Sequence, residues 1–295
     1  MRHISLQQIS DFSDKSQKID KHFVLLEGRD IGRYSGIPFI GCRIISLVCR
    51  GTVNVRINGR VTILSENDFA DVLEGTKLQF DSASDDSEFY CIFTTRKYIM
   101  DALQGTLPRL QNYILKIMTN PVMRLETGQS SVLKNNILLM AGKLADVGNL
   151  YRQELLNAYL KAFALEIGNL MSGLYGTIDD VPLESCRRRD MLMVEFMDLV
   201  WRNFIENRSV AFYAKQLCVT PKQLARVVKD ASGKSPHEII SSELFSLSVQ
   251  LLQDESLLVQ QVSDMLHFSD QAAFTKFFKK YTGVPPADYR KNRTE

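Results

Sequence analysis

The sequence predicts an α+β chain. An N-terminal antiparallel β-barrel or sandwich is followed by a helical segment, and then by an all-α C-terminal domain in which two helix-turn-helix units are joined by a long helix. Three observations carry this. One helical punctuation pattern is written twice between residues 209 and 292. Short runs rich in Val, Ile and aromatic residues crowd positions 22–94. Between these regions, apolar residues recur at helical spacing along two longer stretches. A chain of 295 residues favours two domains over one. The boundaries expected are 1–105 for the barrel, 106–175 for a helical dimerisation segment, 176–186 for a linker and 187–295 for the tandem helical domain.

Hydrophobic residues make up 45% of the chain and charged residues 24%, the balance of an ordinary soluble protein. The formal net charge of +2 decides little, and the basic excess beyond residue 187 is slight. Any argument for a polyanionic partner therefore rests on where the charges sit. Met1 to Ser5 begins no apolar core of signal-peptide length, and no run of eighteen apolar residues suggests a membrane span. The five cysteines, Cys42, Cys49, Cys91, Cys186 and Cys218, are scattered and contain no C-x-x-C. They read as reduced thiols in a cytoplasm, with a redox pair of Cys42 and Cys49 as the lesser reading.

Residues 1–20 are polar, a short arm or first turn. Strands are expected at 22–27, 43–50, 52–57, 60–64, 69–73, 77–81 and 89–94. The clearest is the alternating pair that meets at Asn58-Gly59, a dipeptide that supplies the positive φ angles of a tight hairpin. A metal-dependent barrel enzyme needs clustered His and carboxylate ligands, but this half holds only His3 and His22, outside the strand-rich core. No Gly-rich phosphate loop, Ser-His-Asp set or paired-cysteine set stands out. No cofactor or metal is expected. Phe23, Phe39, Phe69, Phe80, Phe89, Tyr90 and Phe93 read as ordinary core or as the apolar wall of an effector pocket. In the pocket reading Phe23, Phe69, Phe80 and Phe93 line it, and Arg43 or Arg56 anchors a polar group. A strand arginine solvated on the outer face is the competing reading for those two.

After Arg96 the texture turns helical, with Pro108 opening a helix over 109–118 and Asn120-Pro121 breaking it. Leu133, Ile137, Met140, Leu144 and Val147 then step by four and three, as do Leu156, Leu160, Phe163, Ile167, Leu170 and Leu174. Gly148-Asn149 between them suits a helical hairpin. These seams either pack only on the barrel or also meet a twin. A homodimer seam through Leu156, Leu160, Phe163, Ile167 and Leu170 is favoured, because a symmetric partner adds avidity. Residues 173–185 are short, polar and broken, a linker. Arg187-Arg188-Arg189 then opens an amphipathic helix over 190–206 with Leu192, Phe196, Leu199, Val200 and Trp201 inward.

In the first helical unit, a short helix over 210–217 leads through Cys218-Val219 to Thr220-Pro221-Lys222-Gln223. There threonine caps, proline takes the first helical position and glutamine closes a capping box. Leu224, Val227, Val228 and Ala231 form the buried stripe, Lys222, Arg226 and Lys229 another face, and Gly233 the stop. The second unit repeats this fifty positions on, with Phe274, Lys276, Phe277, Phe278, Lys279, Gly283 and Pro286. The preceding short helix is offset by forty-nine, so the second turn carries one extra residue. Ser235-Pro236-His237-Glu238, a second capping box, starts the connecting helix, whose buried side is Ile239, Ile240, Leu244, Leu247, Leu251 and Leu252. Helices of this kind fit the DNA major groove.

Residues 190–292 resemble the DNA-binding domain of the AraC/XylS family of bacterial transcription regulators. The resemblance rests on Ala214, Leu217, Val219 and Leu224 in the first unit. In the second it rests on Phe268-Ser269-Asp270-Gln271, Phe274, Phe277-Phe278-Lys279-Lys280, Gly283, Pro286, Tyr289 and Arg290. Two positions depart: His267 stands where the family has Gly, so mild backbone strain is expected there, and Ser263 stands for Ala.

The resemblance implies double-stranded DNA as partner, a cupin-like N-terminal sensor barrel with a small-molecule effector, a homodimer, contact with RNA polymerase, and transcription activation. By position, Lys222, Gln223 and Arg226 are base-edge candidates in the first unit, with Arg226 suited to a bidentate guanine contact. Ala272, Ala273 and Lys276 are their counterparts, so the first unit is expected to read sequence more sharply. Lys229, Gln271, Thr275, Lys279 and Lys280 are phosphate candidates. The rival readings are an effector-independent regulator, a protein-interaction module built on the same tandem domain, and an enzyme with an auxiliary helical domain.

Overall fold

The structure, a computed structural model, describes residues 3–103, 113, 116–118, 120–175, 186–254 and 256–291. It divides into two compact units, Arg2–Pro182 and Leu183–Glu295. The expected boundary at 105/106 and the expected linker at 176–186, apart from Cys186, lie outside the described residues, as does most of the helix expected over 109–118.

The N-terminal unit opens with α1 (Leu6–Phe12), started by a capping box between Ser5 and Gln8 where a short arm or first turn was expected. Strands β1 (Lys18–Ile19) and β2 (Phe23–Glu27) lead to the short α2 (Gly28–Ile31). Then follow β3 (Pro38–Phe39), β4 (Arg43–Arg50), β5 (Thr52–Ile57), β6 (Arg60–Ser65), β7 (Asp68–Val72), β8 (Leu78–Ala83) and β9 (Glu88–Thr94). After α3 (Arg96–Leu103), β10 (Val122–Arg124) closes the set. All seven expected strands are present, and among the described residues the sequence missed only the short β1, β3 and β10. Asn58 and Gly59 take φ of 50° and 85°, the two left-handed positions that the β5–β6 turn needs.

Two antiparallel sheets result, a six-stranded one ordered β1-β2-β9-β4-β7-β10 and a four-stranded one ordered β3-β8-β5-β6. The larger is buried on both faces, which explains its near-continuous apolar strands. Ile44 and Val48 of β4 and Phe89, Cys91 and Phe93 of β9 join a core with Phe39, Val53, Val55 and Phe80 of the smaller sheet. The alternate residues, Ile45, Leu47, Tyr90 and Ile92, join a second core with helical side chains.

This alternation corrects the expected pocket. Phe80 and Phe93 belong to the core shared by the two sheets, but Phe23 and Phe69 belong to the core beneath the helices. The larger sheet stands between the two sets, so they cannot line one lumen. Arg43 shares the helix-facing side. Its Nε donates to Asp71 Oδ1 at 2.8 Å, its Nη2 donates to Oδ2, and the Tyr113 hydroxyl donates to the same carboxylate. Asp71 is fully buried, so Arg43 is committed to it and is no free anchor. Burial and the Asp71 carboxylate hold the Tyr113 hydroxyl protonated well above its usual range. Arg56 alternates with the inward Val53 and Val55, lies on the outer surface, and pairs there with Asp81 at 2.8 Å.

Helices α4 (Thr127–Ala145) and α5 (Arg152–Tyr175) form the expected hairpin. Arg152 staples its turn, donating to the carbonyls of Leu144 and Lys18. Leu156, Leu160, Phe163 and Ile167, the predicted dimer seam, are 0–4% exposed in the single chain, packed with Leu133, Ile137, Met140, Leu144 and the sheet. Leu170 is half-buried against the same core. The seam is therefore spent within one protomer and cannot also face a twin.

The C-terminal unit comprises α6 (Cys186–Asn203), α7 (Val210–Gln216), α8 (Pro221–Ser232), α9 (Pro236–Leu252), α10 (Val259–Met265), α11 (Gln271–Thr282) and α12 (Pro286–Lys291). Leu192, Phe196 and Val200 of α6 are buried as expected, with Met193 and Met197 completing the face while Leu199 and Trp201 are only half-buried. The two helix-turn-helix units share one backbone solution. Cys218 and His267 both sit at left-handed φ, 54° and 53°. Their amides donate to Lys215 and Asp264, and the next amides, Val219 and Phe268, donate to Ala214 and Ser263 at 3.0 Å in each unit. Ser263 Oγ also donates to the Asp270 carbonyl at 3.1 Å, so the hydroxyl that replaces a methyl finds a partner at the crossing.

Arg43→Ala is expected to lower the stability of the N-terminal unit by about 3–5 kcal/mol, because it strands a buried carboxylate; an unchanged urea midpoint contradicts this. His267→Gly removes a left-handed penalty of about 1–2 kcal/mol, partly offset by glycine's freedom in the unfolded chain. A net gain of about 1 kcal/mol is expected from chemical denaturation of the C-terminal unit, and a loss would show that the imidazole makes a compensating contact.

Candidate nucleic-acid interface

The second helix of each unit is fixed at both ends by matching devices. At the start, Thr220 Oγ1 accepts from the Gln223 amide at 3.1 Å, and Asp270 Oδ1 accepts from the Ala273 amide at 2.7 Å. The cap at Thr220 is one-sided: the Gln223 side chain, expected to close a box, is exposed and left for other partners. At the end, Gly233 and Gly283 take φ of 70° and 81°, and each donates its amide to the carbonyl four residues back, Lys229 or Lys279, at 2.8 Å. Ser232 and Thr282 repeat a further bond, their hydroxyls donating to Val228 and Phe278 and accepting from Lys234 and Val284. The sequence reading missed this pair, although the fifty-residue spacing of a Ser and a Thr before each glycine was its signal.

Each helix is then rotated by its apolar anchors. Leu224, Val227 and Val228 are buried in α8, and Phe274 and Phe278 in α11. Phe277, expected in the core, is half-buried and packs its ring against Phe268 and Tyr281. With those faces inward, α8 presents Lys222, Gln223, Arg226 and Lys229 to solvent. The outward residues of α11 are Gln271, Ala272, Lys276, Lys279 and Lys280, with Ala273 and Thr275 half-buried beside them. Among the described residues, none of these six cations is held in an ion pair. They keep their charge available for an external polyanion. The side chains of Arg187, Arg188 and Arg189 lie outside the described residues.

Continuous α9 joins the two units. Its 17 residues rise by roughly 25 Å, most of one duplex turn of roughly 34 Å. The Ser235–Glu238 capping box holds its first turn, and burial of Ile239, Ile240, Leu244 and Leu252 fixes its sides. At its far end the Arg290 guanidinium donates to the carbonyls of Leu252 at 3.1 Å and Leu257 at 2.6 Å. A cation at a helix C-terminus also meets the negative end of the dipole. Tyr289, beside it, packs edge-on against Phe278 with ring centroids 5.2 Å apart. The Tyr-Arg pair of the closing motif is thus structural.

Arg208, which the sequence reading did not single out, ties the units together. Just before α7 of the first unit, it donates to the carbonyls of Leu266 and His267 in the second turn and lies 4.0 Å over the Phe268 ring. Burial lowers its pKa from the ordinary arginine value. No motif announces such a contact, because it spans 59 residues.

Comparisons with known proteins agree with this geometry. A family profile described as a helix-turn-helix domain matches residues 213–292. The Msm operon regulatory protein of Streptococcus mutans is 27% identical over 131 residues, 43% of this chain and 47% of that protein. The probable transcription factor PqrA of Proteus vulgaris is 32% identical over 71 residues, 24% of this chain and 58% of that protein. The chain thus spans about half the length of these curated relatives. A crystal structure of an apo ToxT variant from Vibrio cholerae is similar in fold over 92% of this chain and 97% of that one, with a TM-score of 0.50 at 16% identity. These relatives are named as regulators, not enzymes. The paired turns, the paired basic helices and the matched segment together make residues 213–292 a helix-turn-helix domain similar to those of these transcription regulators.

Proposed function

We propose that the chain is a sequence-specific, DNA-binding activator of transcription that works as a homodimer and answers to a small-molecule effector in its N-terminal unit. The observation that carries the DNA reading is the doubled cationic helix: two helices with the same turn, caps and anchors, each with unpaired Lys or Arg outward. In this reading α8 supplies Lys222, Gln223 and Arg226 to base edges, and Lys229 to a phosphate. In α11, Lys276 has a hydrogen-bonding reach while Ala272 and Ala273 offer only methyl contacts, so the first unit carries more of the specificity. Gln271, Thr275, Lys279 and Lys280 follow the backbone. The chain would act in the cytoplasm beside RNA polymerase.

For the effector, the two sheets are the favoured seat. Phe80 and Phe93 remain as apolar wall there. Two hydroxyls, of Tyr34 in that core and of Ser46 between Ile44 and Val48, are buried without hydrogen-bond partners among the described residues. Buried polar groups ordinarily find a partner, so a small ligand carrying an acceptor or donor would satisfy them.

The test is a gel-shift titration with DNA from upstream of the chain's own gene. Arg226→Ala is expected to cost about 1–3 kcal/mol of specific affinity and to relax preference at one base pair. Unchanged affinity and preference would remove α8 from its assigned role. Lys279→Ala is expected to weaken all sequences alike and to reduce the salt slope by about one; a loss confined to one sequence would make it a base reader instead.

A further inference from the structure

The two basic helices are near-copies, so the places where they differ show what the fold does not require. Fifty positions apart, Val227, Asp230 and Ala231 of α8 are answered by Phe277, Lys280 and Tyr281 of α11. Both helices keep the same turn and the same stop, so neither Lys280 nor the two rings are needed to build the unit. Val227 is buried, whereas Phe277 is only half-buried. The three exchanged residues all border one cleft of about 200 Å³ in the C-terminal unit, which Arg208 and the first half of α9 complete.

One part of the cleft is cationic and another apolar. Arg208 and Lys280 bring two permanent charges, the His237 imidazole adds a further donor, and among the described residues no Asp or Glu borders the cleft. Neither cation is held in an ion pair among the described residues. Arg208 spends its Nη2 on the carbonyls of Leu266 and His267, which leaves Nε and Nη1 to donate elsewhere. The apolar wall is Ile240, Leu244 and Phe277. A run of ring contacts holds it in place. Tyr281 stacks on Phe245 at 4.6 Å, Phe277 packs against Phe268 and Tyr281 at 5.2 Å each, and the Arg208 guanidinium lies 4.0 Å over Phe268. The wall is thus set before any ligand arrives, which lowers the cost of binding. Two fixed charges beside an apolar wall match a dianion carried on a ring. A phosphate monoester holds about −1.5 to −2 charges at pH 7 and offers oxygens to which a guanidinium fork donates in pairs. The volume lies below the roughly 300 Å³ of a drug-sized site, so it suits one ring and its head group.

We infer that this cleft binds a small aromatic phosphate monoester, with the head group between Arg208 and Lys280 and the ring against Phe277. Occupancy then withdraws Lys280 from the DNA backbone, a consequence that rests on the DNA reading of the proposed function. The probe is phenyl phosphate, titrated calorimetrically into the full chain beside inorganic phosphate and phenol. Phenyl phosphate is expected to bind at a single site per chain, and the other two at least tenfold more weakly. Lys280→Gln and Phe277→Val, the latter taking the residue of the counterpart helix, are each expected to weaken it at least tenfold while the circular dichroism spectrum stays unchanged. No binding at millimolar phenyl phosphate, equal binding of inorganic phosphate, or binding that either variant leaves intact overturns the site. In a gel shift at matched ionic strength, saturating phenyl phosphate is expected to weaken DNA binding severalfold and to reduce the salt slope by about one, as Lys280→Gln does alone. A parent chain that binds phenyl phosphate with its DNA affinity unchanged overturns the regulatory consequence. One that binds phenyl phosphate but no DNA overturns the DNA reading and spares the site.

Discussion

The two left-handed residues in the helix-turn-helix turns are the constraint on which the C-terminal unit depends. A right-handed residue at Cys218 or His267 would carry the chain onward from the short helix and away from its partner. The positive φ turns it instead, so that Val219 and Phe268 bond back to Ala214 and Ser263 and the second helix begins at a fixed angle. Leu224 and Phe274 then set the rotation of each helix about its axis. Once the angle and rotation are fixed, Lys222, Arg226 and Lys276 have no inward alternative. Charge display on this domain is thus a consequence of backbone geometry and core packing, and the modest net charge of the chain is irrelevant to it.

The same economy governs the spacing between the units. α9 packs against α8 of the first unit and against α10 and α11 of the second, and so adds core to both. Arg208 and Arg290 act at its margins through backbone carbonyls, and Arg208 adds the Phe268 ring to its contacts. In the N-terminal unit the organising constraint is different. The larger sheet must be covered twice, once by the smaller sheet and once by α4 and α5. That requirement consumes the apolar seams of both helices and leaves Asp71, Arg43 and Tyr113 as a closed polar set on the helix-facing side.

The C-terminal domain was largely legible in the sequence because its rules are local. Caps, stops and apolar anchors lie within a dozen residues of one another, and duplication let each copy check the other. Even the one-residue insertion in the second turn, which places Asp270 at the cap position fifty residues after Thr220, followed from the offsets. The N-terminal strands were legible for the same reason. What the sequence could not reveal was which core each strand residue joined. Phe23 and Phe93 look alike in a strand, yet they face opposite sides of one sheet, and only the pairing of β2 with β9 separates them. The seam of α5 misled because a heptad-like stripe has the same period whether it meets a sheet or a twin. Ser5 with Gln8, by contrast, was a readable capping box that the polar surroundings obscured.

The central claim is that two equivalent cationic helices lie along one side of a DNA duplex at a separation set by α9. Hydroxyl-radical footprinting of the full chain on its own upstream DNA tests this most directly. The account predicts paired protections displaced to one face of the duplex, with the two recognition sites about one helical turn, roughly 10 base pairs, apart. A single protected patch, or protections that fall on opposite faces, would contradict it.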